Sequence, residues 1–219
     1  MQPLILTFQL ALTVTAILLV IGVPLAYWIA FSQNRFKYIV ETLVSMPLVL
    51  PPTVIGFYLL VVFSPQYALG HFLLSSFGIR IAFSFIGLVI GSAIFSLPFM
   101  VNPIKAGFQS FPLELMEASY CLGKSRGETL RRVILPNIKP ALLTGIVMAF
   151  AHTIGEFGVV LMIGGNIPGE TRLASIAIYD QVEALNYDTA GLYALVLVAI
   201  SFFILLTFYY LNRKTLKIF

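Results

Sequence analysis

Two side chains able to carry a proton, His152 and Glu156, stand four residues apart in an apolar stretch, a spacing that puts both on one helix face. Ionisable groups in such surroundings are costly and face a bundle interior or water. They read as a gate or subunit contact, or as a buried pair that satisfies itself. A carboxylate is in either case a poor direct ligand for an anion. Further upstream, Pro51, Pro52 and Thr53 end the run Met46-Pro47-Leu48-Val49-Leu50-Pro51-Pro52-Thr53. Paired prolines there free backbone carbonyls that protein, water or a passing solute must satisfy, so the kink is structural or lines a pathway. The glycine-rich run from Gly164 to Arg172 holds Gly165, Asn166, Pro168, Thr171 and Arg172. Its backbone N–H groups could approach an oxyanion, or the run could be a flexible turn. Enzymatic chemistry finds no constellation. The single cysteine, Cys121, excludes an intramolecular disulfide, and no Cys/His cluster has metal-ligand spacing. Gly123-Lys124-Ser125 echoes the end of a phosphate-binding loop, but that pattern needs a glycine where Ala118 stands. The chain is not expected to hydrolyse ATP by itself.

The elements that must position these residues are membrane spans. The chain has 219 residues, 59% of them hydrophobic and 10% charged, with a mean hydropathy of +0.98. Soluble domains run nearer about half apolar and about a quarter charged. About 20 apolar residues cross a hydrocarbon core. Five segments meet that length: residues 4–31, 38–63, 81–101, 140–164 and 190–211. The expected fold is therefore an all-α, polytopic membrane bundle of about five spans in one domain. The first segment is too long for a signal-peptide core and lacks a basic leader and a small-residue cleavage site, so it is expected to stay as a span.

Lysine and arginine set the orientation. Arg35 and Lys37 follow the first span. Lys105, Lys124, Arg126, Arg131, Arg132 and Lys139 lie between the third and fourth, and Arg213, Lys214 and Lys217 follow the fifth. Only Arg80 and Arg172 fall on the opposite side. The basic side is expected to be cytoplasmic, with the N-terminus outside and the C-terminus inside. The formal charge of +4 thus reflects topology and marks no nucleic-acid surface. Outside, Arg80 and Arg172 face Glu170, Asp180, Glu183 and Asp188, which is no funnel for an anion. Residues 64–80 are expected to be a short external loop and residues 165–189 an external stretch. An odd number of spans argues against a complete inverted-repeat transporter in one chain, so a pore would need a second copy or a partner.

The cytoplasmic segment 105–139 is dense in helix punctuation. Pro112 suits a first helical position, with Glu114 and Glu117 at the positive end of the dipole and Gly123 placed to end the helix. Ser125 and Glu128 form a capping box that opens a second helix. Such a charged hairpin serves to contact something in the cytoplasm, or is a solvated connector. Its residues match a known pattern. Glu117-Ala118-Ser119, then Gly123, then Val133-Ile134-Leu135-Pro136 resembles the EAA loop of permeases in bacterial ABC importers. Ser119 stands where that motif has its second alanine, and Val133 where it has isoleucine. The resemblance implies that Glu117, Ala118, Ser119, Gly123, Arg126, Ile134, Leu135 and Pro136 belong to a coupling helix that docks on an ATP-hydrolysing subunit.

The LPPT stretch, Gly155-Glu156-Phe157-Gly158, Gly165-Asn166-Ile167-Pro168-Gly169 with Thr171, and Ile178-Tyr179 together resemble the molybdate branch of that family over nearly the whole chain. Related sulfate permeases share much of this region, and Gly169 leans toward molybdate or tungstate. The resemblance implies a type I ABC importer-like fold and a homodimer in membrane lipid. It also implies two cytoplasmic ATP-binding subunits and an external oxyanion-binding protein. ATP and Mg would sit on the partner subunits, with no cofactor on this chain. Pro51, Pro52, Thr53, His152, Glu156, Gly165, Asn166, Pro168, Thr171 and Arg172 are the pathway or gate candidates. A sulfate or thiosulfate permease is the rival within the family. A non-transporting scaffold or intramembrane enzyme finds no supporting motif.

Overall fold

The computed structural model describes residues 2–216, with side chains through residue 210. Lys217 lies outside the described residues, and the side chains of Arg213 and Lys214 lie outside the described ones. All described elements are helical: α1 Gln2–Phe31, α2 Phe36–Ser45 running into a 3₁₀ turn Met46–Leu48, α3 Pro52–Phe63, α4 Ala68–Phe77 and α5 Phe85–Gln109. There follow α6 Leu113–Cys121, α7 Arg126–Thr129 with a π-helical turn Leu130–Ile134, and the single turn α8 Leu135–Asn137. The chain ends with α9 Lys139–Gly155, α10 Gly158–Gly164, α11 Ala174–Glu183 and α12 Tyr187–Leu216.

α1, α5 and α9 pack together as the centre of the bundle. Leu10, Val14, Leu18 and Ile29 of α1 bury against Leu88, Met100, Ile104 and Phe108 of α5, and Ala149 of α9 closes the core. Apolar side chains gain little from leaving lipid, so association relies on close packing through small residues. Gly145 lies where a Cβ would come within 2.9 Å of the Met100 carbonyl oxygen, and Gly107 where one would meet Ala141 at 2.4 Å. Those two glycines set how near α9 lies to α5.

Three helices are long and apolar enough to cross a membrane: Gln2–Phe31, Phe85–Gln109 and Tyr187–Tyr210. The number reaches the expected five only if two bent pairs each count as one span. The expected second span, 38–63, is no continuous rod. It turns by 111° between Leu48 and Pro52. Pro51 has φ −56° and ψ 136°, an extended conformation that the following proline imposes, so the helix restarts only at Pro52. The expected fourth span, 140–164, ends nine residues early at Gly155, because Glu156 adopts φ −68° and ψ 136°. Residues 158–164 form the separate helix α10, which packs on α3.

Other boundaries shift too. The expected third span, 81–101, is α5, which starts at Phe85 and runs on to Gln109 with Pro98 and Pro103 inside it. The expected external loop 64–80 contains the apolar helix α4, which Gly78 ends in the left-handed conformation at φ 66°. Residues 165–189 contain α11, whose first N–H donates from Ala174 to the Thr7 hydroxyl of α1 at 2.9 Å. α4 is closed by its own Gly78 and α11 by a hydroxyl from the far end of the chain, and hydropathy alone reports neither.

Candidate functional site

The two chain breaks meet in space. Gly158, the first residue of α10, lies against Pro52, the first residue of α3: a Cβ on Gly158 would sit 2.7 Å from Pro52 Cβ. Beside this contact a cavity of about 540 Å³ is lined by Pro52, Thr53, Phe95, His152, Gly155 and Glu156, among others. Four of the sequence-derived candidates thus converge on one cavity. Non-helical backbone at membrane depth is tolerated where protein buries it or where it lines a cavity, and here it does both.

Glu156 and His152 do not form the pair that their spacing suggested. Because α9 ends at Gly155, Glu156 leaves the helical register and the two residues are not on one helix face. His152 instead reaches α5. Its Nδ1 lies 2.9 Å from Ser96 Oγ, and its ring stacks on Phe99 with centroids 3.9 Å apart. Hydrogen accounting assigns the direction. The Thr153 hydroxyl donates to the Ala149 carbonyl at 2.8 Å, so Thr153 Oγ1 accepts from Ser96 at 2.9 Å. The one hydrogen of Ser96 is then used, and Ser96 Oγ accepts from His152 Nδ1–H. In the neutral ring, Nε2 is left as an acceptor.

Glu156 is only 4% exposed, and neither of its carboxyl oxygens has a hydrogen-bond partner. Ser92 of α5 is the polar side chain next to it, and the Ser92 hydroxyl, which bonds nothing else, is the donor placed beside that carboxyl. The backbone carbonyl of Glu156 accepts from Ser175 Oγ of α11 at 2.7 Å. The residue is therefore held by its main chain, with its carboxyl sealed beside Ser92.

The glycine-rich run is a tightly bonded turn. Gly165, Asn166 and Gly169 have φ of 67°, 57° and 82°. Thr171 is fully buried and ties the turn across: its hydroxyl donates to the Gly164 carbonyl at 2.7 Å and accepts from Ile167 N–H at 2.8 Å. The N–H groups of Glu170, Thr171 and Arg172 all donate to the Ile167 carbonyl, and that of Gly165 to Leu161. Pro168 has no N–H to offer. Asn166 donates to both oxygens of Asp180, at 2.9 and 3.0 Å, and accepts from Arg172 Nε at 2.8 Å. Arg172 also lies 3.4 Å from Asp180, which balances its charge locally. This arrangement serves to seat the turn on α11 and commits most of its donors internally.

The basic hairpin forms as two helices about a glycine. Gly123 has φ 76° and follows the end of α6, and the Ser125 hydroxyl accepts from Glu128 N–H at 3.3 Å to cap α7. Glu117, Ala118, Gly123 and Arg126 are exposed, as are Leu113, Leu115 and Leu122, the last at 79%. Ile134 is buried, Leu135 packs against the core, and Pro136 sits in α8. The exposed half is free to meet a partner, and the buried half fixes it to the bundle. Ser92, Ser96, Thr129 and Asp180 were not singled out from sequence. Ser92 and Ser96 repeat at helical spacing in α5, which is a usable signal; Asp180 shows in sequence only as one of the external acidic residues opposite Arg172, and Thr129 carries no signal.

A bundle whose broken helices meet at a cavity, with a helix–glycine–helix segment leading out of it, defines the membrane-spanning subunit of a binding-protein-dependent importer. The chain belongs to the family of binding-protein-dependent transport system inner membrane components, which it matches over residues 22–217. It is a multi-pass inner-membrane permease subunit and no enzyme. It is 42% identical over 209 residues to the molybdenum transport system permease protein ModB of Azotobacter vinelandii, covering 95% of this chain and 92% of that one. It is 34% identical over 200 residues to the sulfate transport system permease protein CysT of Synechocystis, covering 91% and 70%. Two solved structures share the fold. One is the inward-facing MetNI methionine ABC transporter, with a TM-score of 0.74 and 16% identity over 95% of this chain and 92% of that one. The other is a bacterial ABC transporter that imports alginate, with a TM-score of 0.75 and 18% identity over 96% and 79%.

Proposed function

We propose that this chain is the permease subunit of an importer for molybdate or tungstate. It works as a homodimer in the inner membrane, with two cytoplasmic ATP-binding subunits and an external oxyanion-binding protein. Its N-terminus lies outside and its C-terminus in the cytoplasm, as the distribution of lysine and arginine supports. The observation that carries the substrate is the 42% identity to a molybdenum transport permease over 95% of the chain.

The segment around Gly123 is the mechanical link. Glu117, Ala118 and Arg126 meet the ATPase, Ser119 ties α6 to α7 beneath them, and Ile134, Leu135 and Pro136 carry the displacement into α9. ATP binding draws the two coupling segments together and opens the pathway outward, and hydrolysis returns it inward. The ligand-driven step is a shift between two packed arrangements. The pathway candidates Pro51, Pro52, Thr53, His152 and Glu156 lie where the broken helices meet. Gly165, Asn166, Pro168, Thr171 and Arg172 form the external turn that seats α11. No lysine or arginine is among the residues lining the cavity, so substrate choice rests mainly with the external binding protein.

The test is uptake of radiolabelled molybdate by cells carrying the complete system, with sulfate in excess. Uptake that persists under sulfate supports the reading. A sulfate or thiosulfate permease is the alternative that the 34% identity to CysT favours, and full competition by sulfate would select it.

A further inference from the structure

α12 packs on α9 and α11, and beyond Ala190 none of its described side chains is buried. The two sides of α9 differ in kind. Toward α5 it presents Gly145 and Ala149, and membrane helices approach closely through such small residues. Toward α12 it presents Leu143 and Val147, opposite Ile200, Phe203, Ile204 and Phe208. Bulky side chains on both sides hold the helices apart and leave an open groove of about 480 Å³. The Thr207 hydroxyl is the one polar group among the side chains that line it. Such a groove offers water almost no hydrogen-bond partner, so hydrocarbon fills it.

The charges lie at one mouth. α9 and α12 are antiparallel, since Ile154 faces a pocket with Leu197 while Leu143 faces the groove with Phe208. The end where α9 starts is therefore the end toward which α12 runs. α9 starts with Lys139, four residues before Leu143 and eight before Val147, on the stripe that lines the groove. Lys139 is exposed and has no ion pair among the described residues. α12 continues past Phe208 to Arg213 and Lys214. No acidic residue answers these cations from either helix: α9 has none, and α12 has only Asp188, at its other end. Glu128 of the neighbouring α7 lies within 3.7 Å of Lys124 and 3.6 Å of Arg132. A topology signal needs only basic residues on that side of the membrane. Lys139 is in addition in register with an apolar groove.

A dry slot with unanswered cations at its mouth has the chemistry of an anionic phospholipid site, as basic pockets between membrane helices do. We propose that the α9–α12 groove binds an anionic phospholipid of the leaflet at the Lys139 end. One acyl chain lies along Leu143 and Val147, and the phosphate meets Lys139. Bound there, the lipid fills the space that the bulky side chains leave and fastens α12 to α9. The site is independent of which solute the importer carries.

Lipid retention tests the site. The complete transporter, permease with its ATPase subunits, is purified in detergent and offered phosphatidylglycerol and phosphatidylethanolamine in equal amounts. Native mass spectrometry then counts the lipids that stay bound. Wild type is expected to retain phosphatidylglycerol in preference. Lys139→Gln is expected to lower retained phosphatidylglycerol about fivefold, the worth of one cation near an anionic headgroup, and to leave phosphatidylethanolamine unchanged. Val147→Trp narrows the groove while keeping Lys139, and serves should the Gln variant not assemble. It is expected to remove the preference for phosphatidylglycerol. Lys37→Gln takes a charge from the same basic side but from α2, and is expected to behave as wild type. Equal retention of the two lipids by wild type overturns the site, and so does an equal loss in Lys37→Gln and Lys139→Gln. Cross-linking of Phe203→Cys between two copies, in a Cys121→Ser background, would place protein over the groove and overturn it as well. Transport plays no part in these readouts, so a change of solute leaves them as they are.

Discussion

The hydroxyls of Ser119 and Thr129 lie 2.9 Å apart across the Gly123 turn, both buried, and so join α6 to α7. Ser119 occupies the position where the EAA pattern carries alanine. The substitution is therefore matched by a partner ten residues away, and the pair ties α6 to α7. Removing one partner of a buried hydrogen bond leaves the other unsatisfied and costs about 1–3 kcal/mol, whereas removing both is nearly neutral. Thr129→Val alone is expected to lower the thermal midpoint of the purified transporter. The double variant Ser119→Ala with Thr129→Val is expected to recover most of the loss. A double variant that is as unstable as Thr129→Val would show that the bond does not join the helices.

Gly123 tests the hinge by backbone geometry alone. Its φ of 76° is left-handed, and a Cβ there would meet nothing within 4 Å. Any loss on substitution thus comes from conformation rather than from crowding. Gly123→Val is expected to cost about 1–2 kcal/mol in the native turn and to reduce uptake per ATP hydrolysed. Gly123→Asn, which tolerates this region, is expected to cost less. Equal behaviour of the two variants would point to contact with the partner subunit as the cause.

Thr171 and Arg172 are neighbours with unequal consequences. Thr171 makes two short bonds inside a buried turn, so Thr171→Val is expected to destabilise by about 2–3 kcal/mol, and Thr171→Ser to keep most of the stability. Arg172 is a third exposed, and its pairing with Asp180 is worth at most about 1 kcal/mol. Arg172→Ala is accordingly expected to lower transport only modestly, with anion capture by the isolated binding protein unchanged. Thermal unfolding and uptake measured on the same preparations separate the two.

Lys105 and Glu41 form an ion pair between α5 and α2, with side chains 17% and 34% exposed. The pair holds the first limb of the broken second span against the central helix. Lys105→Glu is expected to reduce the yield of assembled transporter by placing two carboxylates together. The exchange Lys105→Glu with Glu41→Lys is expected to restore much of it, and failure of that rescue would assign Lys105 to another partner.

Much of the architecture was legible in the residue order because lipid and helix punctuation act locally. Long apolar runs must become helices when no water is present to bond the backbone. That argument located α1 and α12 to within about five residues at each end, and α5 at its start though not at its end, which lies eight residues further on. The caps Pro112, Gly123 and Ser125 similarly located the helix–glycine–helix hairpin, since each acts on groups within one turn. What escaped was decided by contacts between distant segments. Spacing put His152 beside Glu156, but the main chain turns at Glu156 and is held there by Ser175 of α11, so His152 bonds Ser96 instead. The glycine-rich run looked open to an anion, yet its donors close on Thr171 and Ile167, which only the folded turn brings within reach. Local physics set which segments are helices and where they stop. The pairing of buried polar groups, and hence the burial of the Glu156 carboxyl beside Ser92, followed from how those helices pack.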